Sequence, residues 1–530
     1  EERGLGTVGL RFKGSYGSLY DCFNAQDEMI CRKLSIKLKF SEYDLEKRFL
    51  GMKRLNFHGY RWDATYMKEK LSYELYRQMD IAAPRVLWAQ IRVNGELMGL
   101  YGMVEQVDGR FTDDRWPDNG DGNLYKELWP VTANEEWALD EQRVTSKLRT
   151  NEDEPDVSAF IAFSDAMRTA DEADLRATLD SFVDLDYWAR YMAVDDAIAN
   201  YDGITTYWTS GDAESAGNHN FYLYEEAADH YTIIPWDLES TFSVGGFGNL
   251  PRWTEVPEDC SLTYTIWGDD DNQAAAPGCD RLFRALAQDL GSYRVAGQQL
   301  LDGPFAEETM VEVIDKYASF IEEEVKVDPN GMGFVEFERN VSFLKGEITR
   351  LRARLAQLLT GEPWTPFEIA VGELTDLEAQ DEFGVLMTAE VYASPGTILG
   401  YEVNTEDPLF GEQSLRLTFE FAESGETWVS YEAPLVGGSH DLTDYAGIRL
   451  WIRGDEDMEF RIEFDSHHTN ADNGWIRAGW YFDVTTEATK IELVFEDAEA
   501  PWWAELQGFE LSAPVSEIQT AVHGIIFRPE

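Results

Sequence analysis

The residues with the most chemistry to offer lie between positions 200 and 239. Asn200-Tyr201-Asp202-Gly203 leads through a polar loop into Asn220-Phe221-Tyr222-Leu223-Tyr224, then through a turn into Tyr231-Thr232-Ile233-Ile234-Pro235-Trp236-Asp237. An acid on a loop, an Asn opening the next element and an Asp closing it are the parts of a phosphoryl-transfer site. One carboxylate, Asp202, orients a hydroxyl nucleophile, while Asn220 and Asp237 supply hard oxygen ligands for Mg²⁺ on nucleotide phosphates. The plainer use of the same residues is as turn formers, which Asp and Asn are at most strand ends.

Two alternating apolar runs on either side of Glu225-Glu226-Ala227-Ala228-Asp229 predict a β-hairpin that delivers Asn220 at one end and Asp237 at the other. Upstream of it, 8–13 and 34–40 read as strands and 64–79 has helical apolar spacing. Residues 88–93 and 97–104, joined by Asn94-Gly95, give a strong hairpin signal. Helical spacing then covers 157–169, 185–199, 280–301, 307–325 and 334–359, with few strands after Asp237. The expected fold class is α+β up to about residue 362. Gly361-Glu362-Pro363-Trp364-Thr365-Pro366 opens a linker, 363–385, that leads into a second domain at 386–530. There the short runs 414–421, 428–433, 447–453, 459–465, 479–482, 490–495, 508–511 and 523–528 predict an all-β sandwich of jelly-roll type.

Composition narrows the function. At 530 residues, two or three domains are expected. The chain carries 100 Asp and Glu against 44 Lys and Arg, a formal charge of −56, which argues against a nucleic-acid partner. Such an excess suits a solvated surface at high ionic strength. Seven of the 44 cations follow residue 366, so the first domain holds the 37 that are available to phosphate. No apolar run of about 18 residues predicts a membrane span. The chain begins at Glu1, as a mature or trimmed chain would. The cysteines fall as two local pairs, Cys22/Cys31 and Cys260/Cys279; three pairings are open, and disulfides in any of them favour an exported protein, secreted, periplasmic or on the cell surface. No Gly-x-Ser-x-Gly motif supports serine hydrolysis, and no His/Cys cluster suggests zinc.

From about Val8 to Leu359 the sequence resembles the CotH kinase family, atypical protein-kinase-like proteins named for a spore-coat protein. The resemblance rests on pieces in order: Val8-Gly9-Leu10-Arg11-Phe12-Lys13-Gly14, Leu34-Ser35-Ile36-Lys37-Leu38-Lys39-Phe40, Lys53-Arg54-Leu55-Asn56-Phe57 and Asp63 through Tyr76. It continues through Ala83-Pro84-Arg85, Val93-Asn94-Gly95-Glu96, Gly99-Leu100-Tyr101, Val104-Glu105-Gln106-Val107-Asp108, Gly122-Asn123-Leu124-Tyr125-Lys126, and the 200–237 motifs. The resemblance implies a kinase-like first domain that uses ATP with Mg²⁺, or Mn²⁺ in its place, to phosphorylate hydroxyl side chains of a protein substrate. It places Arg11 and Gly14 in the strand and turn covering the nucleotide, Lys37 on the next strand at the phosphates, and Glu69 on a helix paired with that lysine. Lys39 shares the face of Lys37, and Lys68, Lys70 and Glu74 make simple surface i,i+4 pairing an equally good account of Glu69. Glu105 and Gln106 end a hinge-like strand whose backbone would meet adenine, and Lys126 is a further phosphate cation. Asp195 and Asp196 precede the site on a helix and read as structural. Departures from the family pattern are the long polar loop 207–217, His219 in place of a second Asn, and the Gly-rich 243–253; the acidic loop points to a basic or polar substrate.

The second domain resembles carbohydrate-binding jelly rolls through its strand rhythm and Tyr445-Ala446-Gly447-Ile448-Arg449-Leu450-Trp451-Ile452-Arg453-Gly454. Trp475, Trp480, Trp502 and Trp503 are the candidates for stacking on a polysaccharide, with core packing as the commoner use of such rings. Two non-catalytic alternatives stand beside the kinase: a nucleotide-binding surface or coat-assembly scaffold, and a carbohydrate-associated adhesin acting through the β-domain.

Overall fold

A computed structural model describes residues 6–360 except 15–18, 20–21, 24–28, 132–138, 210–216, 227–229, 244–249 and 267–272. Beyond 360 it describes 390–393, 398–404, 414–420, 429–434, 442, 447–455, 458–466, 476–501, 504, 510–511, 513–518 and 522–529. The chain divides into two compact units, Glu1–Glu362 and Pro363–Glu530. The linker expected at 363–385 lies outside the described residues.

The first unit is α+β and opens with an antiparallel sheet. Its strands are β1 (Gly9–Phe12), β2 (Ile36–Lys39), β3 (Arg54–His58), β4 (Val86–Val93) and β5 (Glu96–Val104), in the order β1-β2-β3-β5-β4. The Asn-Gly turn between β4 and β5 forms as its sequence requires, with Asn94 at φ 52° and Gly95 at φ 88°. Both residues tolerate the left-handed conformation that matches strand twist. Between β3 and β4 runs α1 (Lys68–Gln78), which is shorter than the 64–79 expected because the Asp63 carboxylate holds residues 63–67 in a turn before it. The Asp63 carboxylate accepts the backbone N–H of Thr65 and of Lys68, at 2.9 Å each. Leu71, Tyr73, Leu75 and Tyr76 form the buried face of α1.

Next come α2 (Gly109–Arg115), β6 (Asn123–Lys126), α3 (Glu141–Ser146), α4 (Ser158–Thr169), α5 (Leu175–Asp180) and α6 (Leu185–Ala197). Helix α6 buries Trp188, Tyr191, Met192 and Val194 on several sides and so lies at the centre of the main core. Strand β7 (Tyr207–Trp208) precedes the expected hairpin, β8 (Phe221–Glu226) and β9 (His230–Pro235), which extends β6 into a three-stranded antiparallel sheet. Two short strands after Asp237, β10 (Thr263–Thr265) and β11 (Gln273–Ala275), pair in the order β10-β11-β7. The helix expected over 280–301 is two, α7 (Arg281–Ala287) and α8 (Gly291–Asp302), because the Asp289 carboxylate turns back to accept the Gly291 N–H at 2.9 Å. The unit ends with α9 (Glu307–Lys326) and α10 (Phe334–Thr360).

A buried clasp joins the loop after α9 to the first sheet. Lys33 Nζ donates to Asp328 Oδ2 at 2.7 Å and to the Leu100 carbonyl at 2.8 Å, while Leu100 N–H donates to the same Asp328 oxygen at 2.9 Å. Asn330 adds a bond to the Met98 carbonyl at 3.1 Å. The rings of Tyr66 and Tyr101 face the ammonium at 5.2 and 5.0 Å. Both local cysteine pairs are bonded, Cys22 to Cys31 and Cys260 to Cys279. Among the described residues no helix is long and apolar enough to cross a membrane.

In the second unit the described strands are β12 (Glu390–Ala393), β13 (Ile398–Asn404), β14 (Ser414–Glu420), β15 (Val429–Pro434), β16 (Gly447–Ile452), β17 (Met458–Ser466), β18 (Gly479–Val484), β19 (Thr489–Val494) and β20 (Val522–Pro529). They pair antiparallel as β12-β15-β20-β17-β18, β13-β14 and β16-β19. The sequence rhythm anticipated seven of these strands and missed β12 and β13. Of the run expected at 508–511, Glu510 and Leu511 are not in a strand and the rest lies outside the described residues. Trp480, a candidate sugar-stacking ring, is core: it packs against Phe464 and Phe495, and its indole N–H donates to the Val494 carbonyl at 2.7 Å. Trp475, Trp502 and Trp503 lie outside the described residues.

Candidate active site

Antiparallel pairing of β8 with β9 puts the residue before the one beside the residues after the other, and Trp236 N–H donates to the Asn220 carbonyl at 2.9 Å. Asn220 (φ 61°) and Asp237 (φ 55°) are both left-handed, a conformation that Asn and Asp adopt more readily than other side-chain-bearing residues. The strands therefore end in two sharp corners. Asp202 reaches the same corner from the loop after α6. Asn220 Nδ2 donates to Asp202 Oδ2 at 2.7 Å and to its backbone carbonyl at 2.9 Å, and Trp208 Nε1 donates to Oδ1 at 3.1 Å. The loop is held from below by Asn200, whose Nδ2 donates to Asp195 Oδ1 at 2.8 Å and lies where a Cβ on Gly203 would stand.

Burial pushes the Asp202 carboxyl up to about 6, with Asp237 adding to the rise and His219, Trp208 and Asn220 opposing it. Burial would raise Asp237 too, yet Lys13, His58 and Lys126 outweigh it and hold that carboxyl below its ordinary range. Among the described residues no hydrogen-bond donor reaches the Asp237 carboxylate; its backbone N–H donates to the Tyr73 hydroxyl at 3.0 Å. Two residues on, Glu239 is pushed up to about 8, first by burial and then by Asp237, Glu69 and Asp63. Single ligand atoms of His58, Glu69 and Asp237 lie within 4.8 Å of one another.

The expected cations gather, with different partners. Arg11 lies directly opposite Lys37 in the β1–β2 register, and Lys37 opposite Asn56. Lys37 donates to Gln106 Oε1 at 2.6 Å. Burial, and then the neighbouring Arg54, Arg11 and Lys13, bring the Lys37 ammonium down to about 7. The Lys37–Glu69 pair expected from the resemblance is not formed: Glu69 receives His58 Nδ1 at 2.9 Å and the Tyr73 hydroxyl at 3.2 Å. Lys39, on the same face as Lys37, pairs with Glu42 at 2.8 Å. Gly14 takes φ 126°, open to few residues other than glycine. Lys126 pairs with Glu127 at 3.2 Å, and Glu127 also accepts the Asn220 backbone N–H at 3.3 Å.

The hinge residues are more occupied than expected. The Glu105 N–H donates to the Arg85 carbonyl at 2.9 Å, and its carboxylate is gripped by Arg85 and Arg115. Gln106 accepts from Lys37 and donates to the Val107 carbonyl at 2.8 Å. Sequence reading missed Lys13, His58, Tyr73 and Glu239. Each had a local signal: Lys13 is the second-to-last residue of the first family-like piece, His58 follows the third, Tyr73 stands four residues after Glu69 on one helix face, and Glu239 repeats an acid at i+2 from Asp237.

The sequence model of the family described as CotH kinase protein matches residues 10–355, which include every one of these site residues. The chain belongs to the CotH kinase family. A curated relative, the inner spore coat protein H of Bacillus subtilis (strain 168), is 24% identical over 206 residues, or 37% of this chain and 52% of that protein. The match thus spans about half the length of the relative. Among solved structures, family 11 carbohydrate-binding modules of Clostridium thermocellum, one from the cellulase Lic26A-Cel5E and one in complex with a mixed-linked tetrasaccharide, are each 10% identical. They cover 27% of this chain and 78% and 79% of their own, with TM-scores of 0.21 and 0.20. In this CotH kinase family member, Asp202, Asn220 and Asp237 meet at one corner within the matched span.

Proposed function

We propose that this protein is an exported, ATP- and Mg²⁺-dependent kinase-like enzyme that transfers the γ-phosphate to hydroxyl side chains of a protein, with a β-sandwich accessory unit. The observation that carries the reading is the carboxylate of Asp237, which no hydrogen-bond donor among the described residues reaches, set beside the Asn220–Asp202 pair and held in its charged form by Lys13, His58 and Lys126. The donor set fits the implied group: Asp237, Asn220 and Glu239 offer hard oxygens, as Mg²⁺ prefers, and Arg11, Lys13, Lys37 and Lys126 offer charge for phosphates. A bound metal would neutralise phosphate charge in a transition state that needs position and charge more than covalent help.

The protein's own residues supply the rest. Asp202 accepts the hydrogen bond of the acceptor hydroxyl and takes its proton as transfer proceeds. Trp208 and Asn220 fix its two oxygens, so the carboxylate meets the hydroxyl in one orientation. Lys37, with Arg54 and Arg11 crowding it, gains from an incoming polyanion. The two disulfides support an oxidising compartment.

The test is incubation with ATP labelled separately on the α- and γ-phosphate, with Mg²⁺ or Mn²⁺, together with melting curves. Entry of the γ-label into protein, and a melting temperature raised more by Mg²⁺ with ATP than by either alone, is the expected result. Entry of the α-label makes the enzyme a nucleotidyl transferase. Thermal shift without either label leaves a nucleotide-binding scaffold, and neither shift nor label removes the nucleotide site.

A further inference from the structure

We propose that Lys13 is a phosphate-contacting cation of the nucleotide site and that Glu69 positions it through His58; the inference rests on the nucleotide reading above. Glu69 is the helix acid that a kinase-like fold pairs directly with a phosphate lysine, and here it touches no lysine. Its Oε1 accepts from the Tyr73 hydroxyl and its Oε2 from His58 Nδ1. With the ring proton on Nδ1, donated to the Glu69 carboxylate, Nε2 is left as the acceptor. Lys13 Nζ contacts that nitrogen. A lysine ammonium has no lone pair, so it donates, which gives the order Glu69, His58, Lys13.

The ammonium is steered from a second side by Trp236, whose ring centroid lies 5.3 Å away. His58 meets the same ring edge-on, at 5.8 Å and 90°. One of the three N–H donors of Lys13 serves His58. The others remain available to phosphate near Asp237, the acid proposed to hold the metal, whose carboxyl Lys13 holds below its ordinary range more than any other neighbour does. Lys37, the alternative partner for Glu69, is engaged with Gln106 instead. The triad of His58, Glu69 and Asp237 also has the composition of a metal site. Both oxygens of Glu69 and both nitrogens of His58 are already satisfied within the protein, however, which leaves Asp237 as the member with free coordination.

The experiment measures equilibrium binding of AMP, ADP and ATP, each with Mg²⁺, to the full chain. It compares wild type, Lys13→Met, His58→Phe, His58→Gln and the double variant Lys13→Met/His58→Phe, with Mn²⁺ titrated alone against each. Expected are a roughly tenfold loss of ATP affinity in Lys13→Met and in His58→Phe, AMP affinity within about twofold, and no further loss in the double variant. His58→Gln, whose amide donates to Glu69 and accepts from Lys13, should recover most of the loss. An unchanged ATP-to-AMP ratio in a folded His58→Phe protein overturns the relay, as does additivity in the double variant. An unchanged ratio in Lys13→Met removes the lysine from the phosphates. Loss of Mn²⁺ binding by His58→Phe without nucleotide makes His58 a metal ligand and overturns its positioning role. If His58→Phe melts below the assay temperature, His58→Leu takes its place with the same expected ratio. Wild type that binds AMP, ADP and ATP equally, or none of them, defeats the nucleotide reading itself and the inference with it.

Discussion

Asp195 and Asp196 at the end of α6, and Asp237 at the strand corner, are acids of one type, close in sequence, and differ in what reaches their oxygens. Asp196 Oδ2 accepts from Trp253 Nε1 at 2.9 Å and the Tyr293 hydroxyl at 2.8 Å, and Arg354 faces Oδ1 at 3.6 Å. Asp195 accepts from the Tyr76 hydroxyl at 2.7 Å and from Asn200. These donors come from α1, α8, α10 and the loops between, so the first pair ties elements together. At Asp237 the neighbours are cations and other acids instead, and no donor satisfies the carboxylate among the described residues. Satisfied oxygens tie elements of a fold together, whereas a half-buried carboxylate with spare lone pairs amid charge is an arrangement that an ion or substrate can complete.

The comparison breaks most visibly at Asp237. Asp237→Asn should lower phosphoryl transfer by about 10³-fold or more and weaken Mg²⁺–ATP binding, while the melting temperature holds or rises. A folded variant with normal transfer would end the metal assignment. Asp202→Asn should keep Mg²⁺–ATP affinity and lose about 10²–10⁴-fold in rate, as expected of a proton acceptor. Full transfer by this variant would remove its role alone. The structural pair should behave in the opposite way: Asp196→Ala leaves the buried Arg354 without its acid and should cost about 3–5 kcal/mol in urea unfolding. Any residual activity should then scale with the folded fraction.

The smallest effect sharpens the contrast by pH. Burial, opposed by Asn200 and Tyr76, pushes Asp195 up to about 7, against an ordinary value of 3.8. Between about pH 4 and 7 the folded chain therefore binds a proton that the unfolded chain has released, so this residue makes stability fall as pH rises through that window. Urea midpoints at several pH values should show a shallower fall for Asp195→Asn than for wild type, and parallel curves would refute the assignment.

What the sequence made legible was local. Asn94-Gly95 dictated its hairpin, and the corner residues of β8 and β9 stood out because Asn and Asp close two alternating runs a short loop apart. The strand rhythm beyond residue 400 was equally readable. Partner choice across distant strands was not. Lys37 and Lys39 share a face, so alternation could not say that one meets Gln106 and the other Glu42. Lys13 and His58 are 45 residues apart and meet only through the order in which β1, β2 and β3 assemble. The split of α7 from α8 was hidden because the Asp289 cap competes with apolar spacing that runs straight through it.

The clasp of Lys33 on Asp328 bears on how the cleft breathes. Side chains that are 5% and 0% exposed cannot part without leaving charge in a dry interior, at a cost of roughly 3–5 kcal/mol. Wide jaw-like swinging of the first sheet away from the terminal helices is thus a rare excursion, on the order of one molecule in a thousand. On the proposed nucleotide reading, exchange of a spent ligand would then proceed through smaller rearrangements of the loops, which would set the rate of turnover.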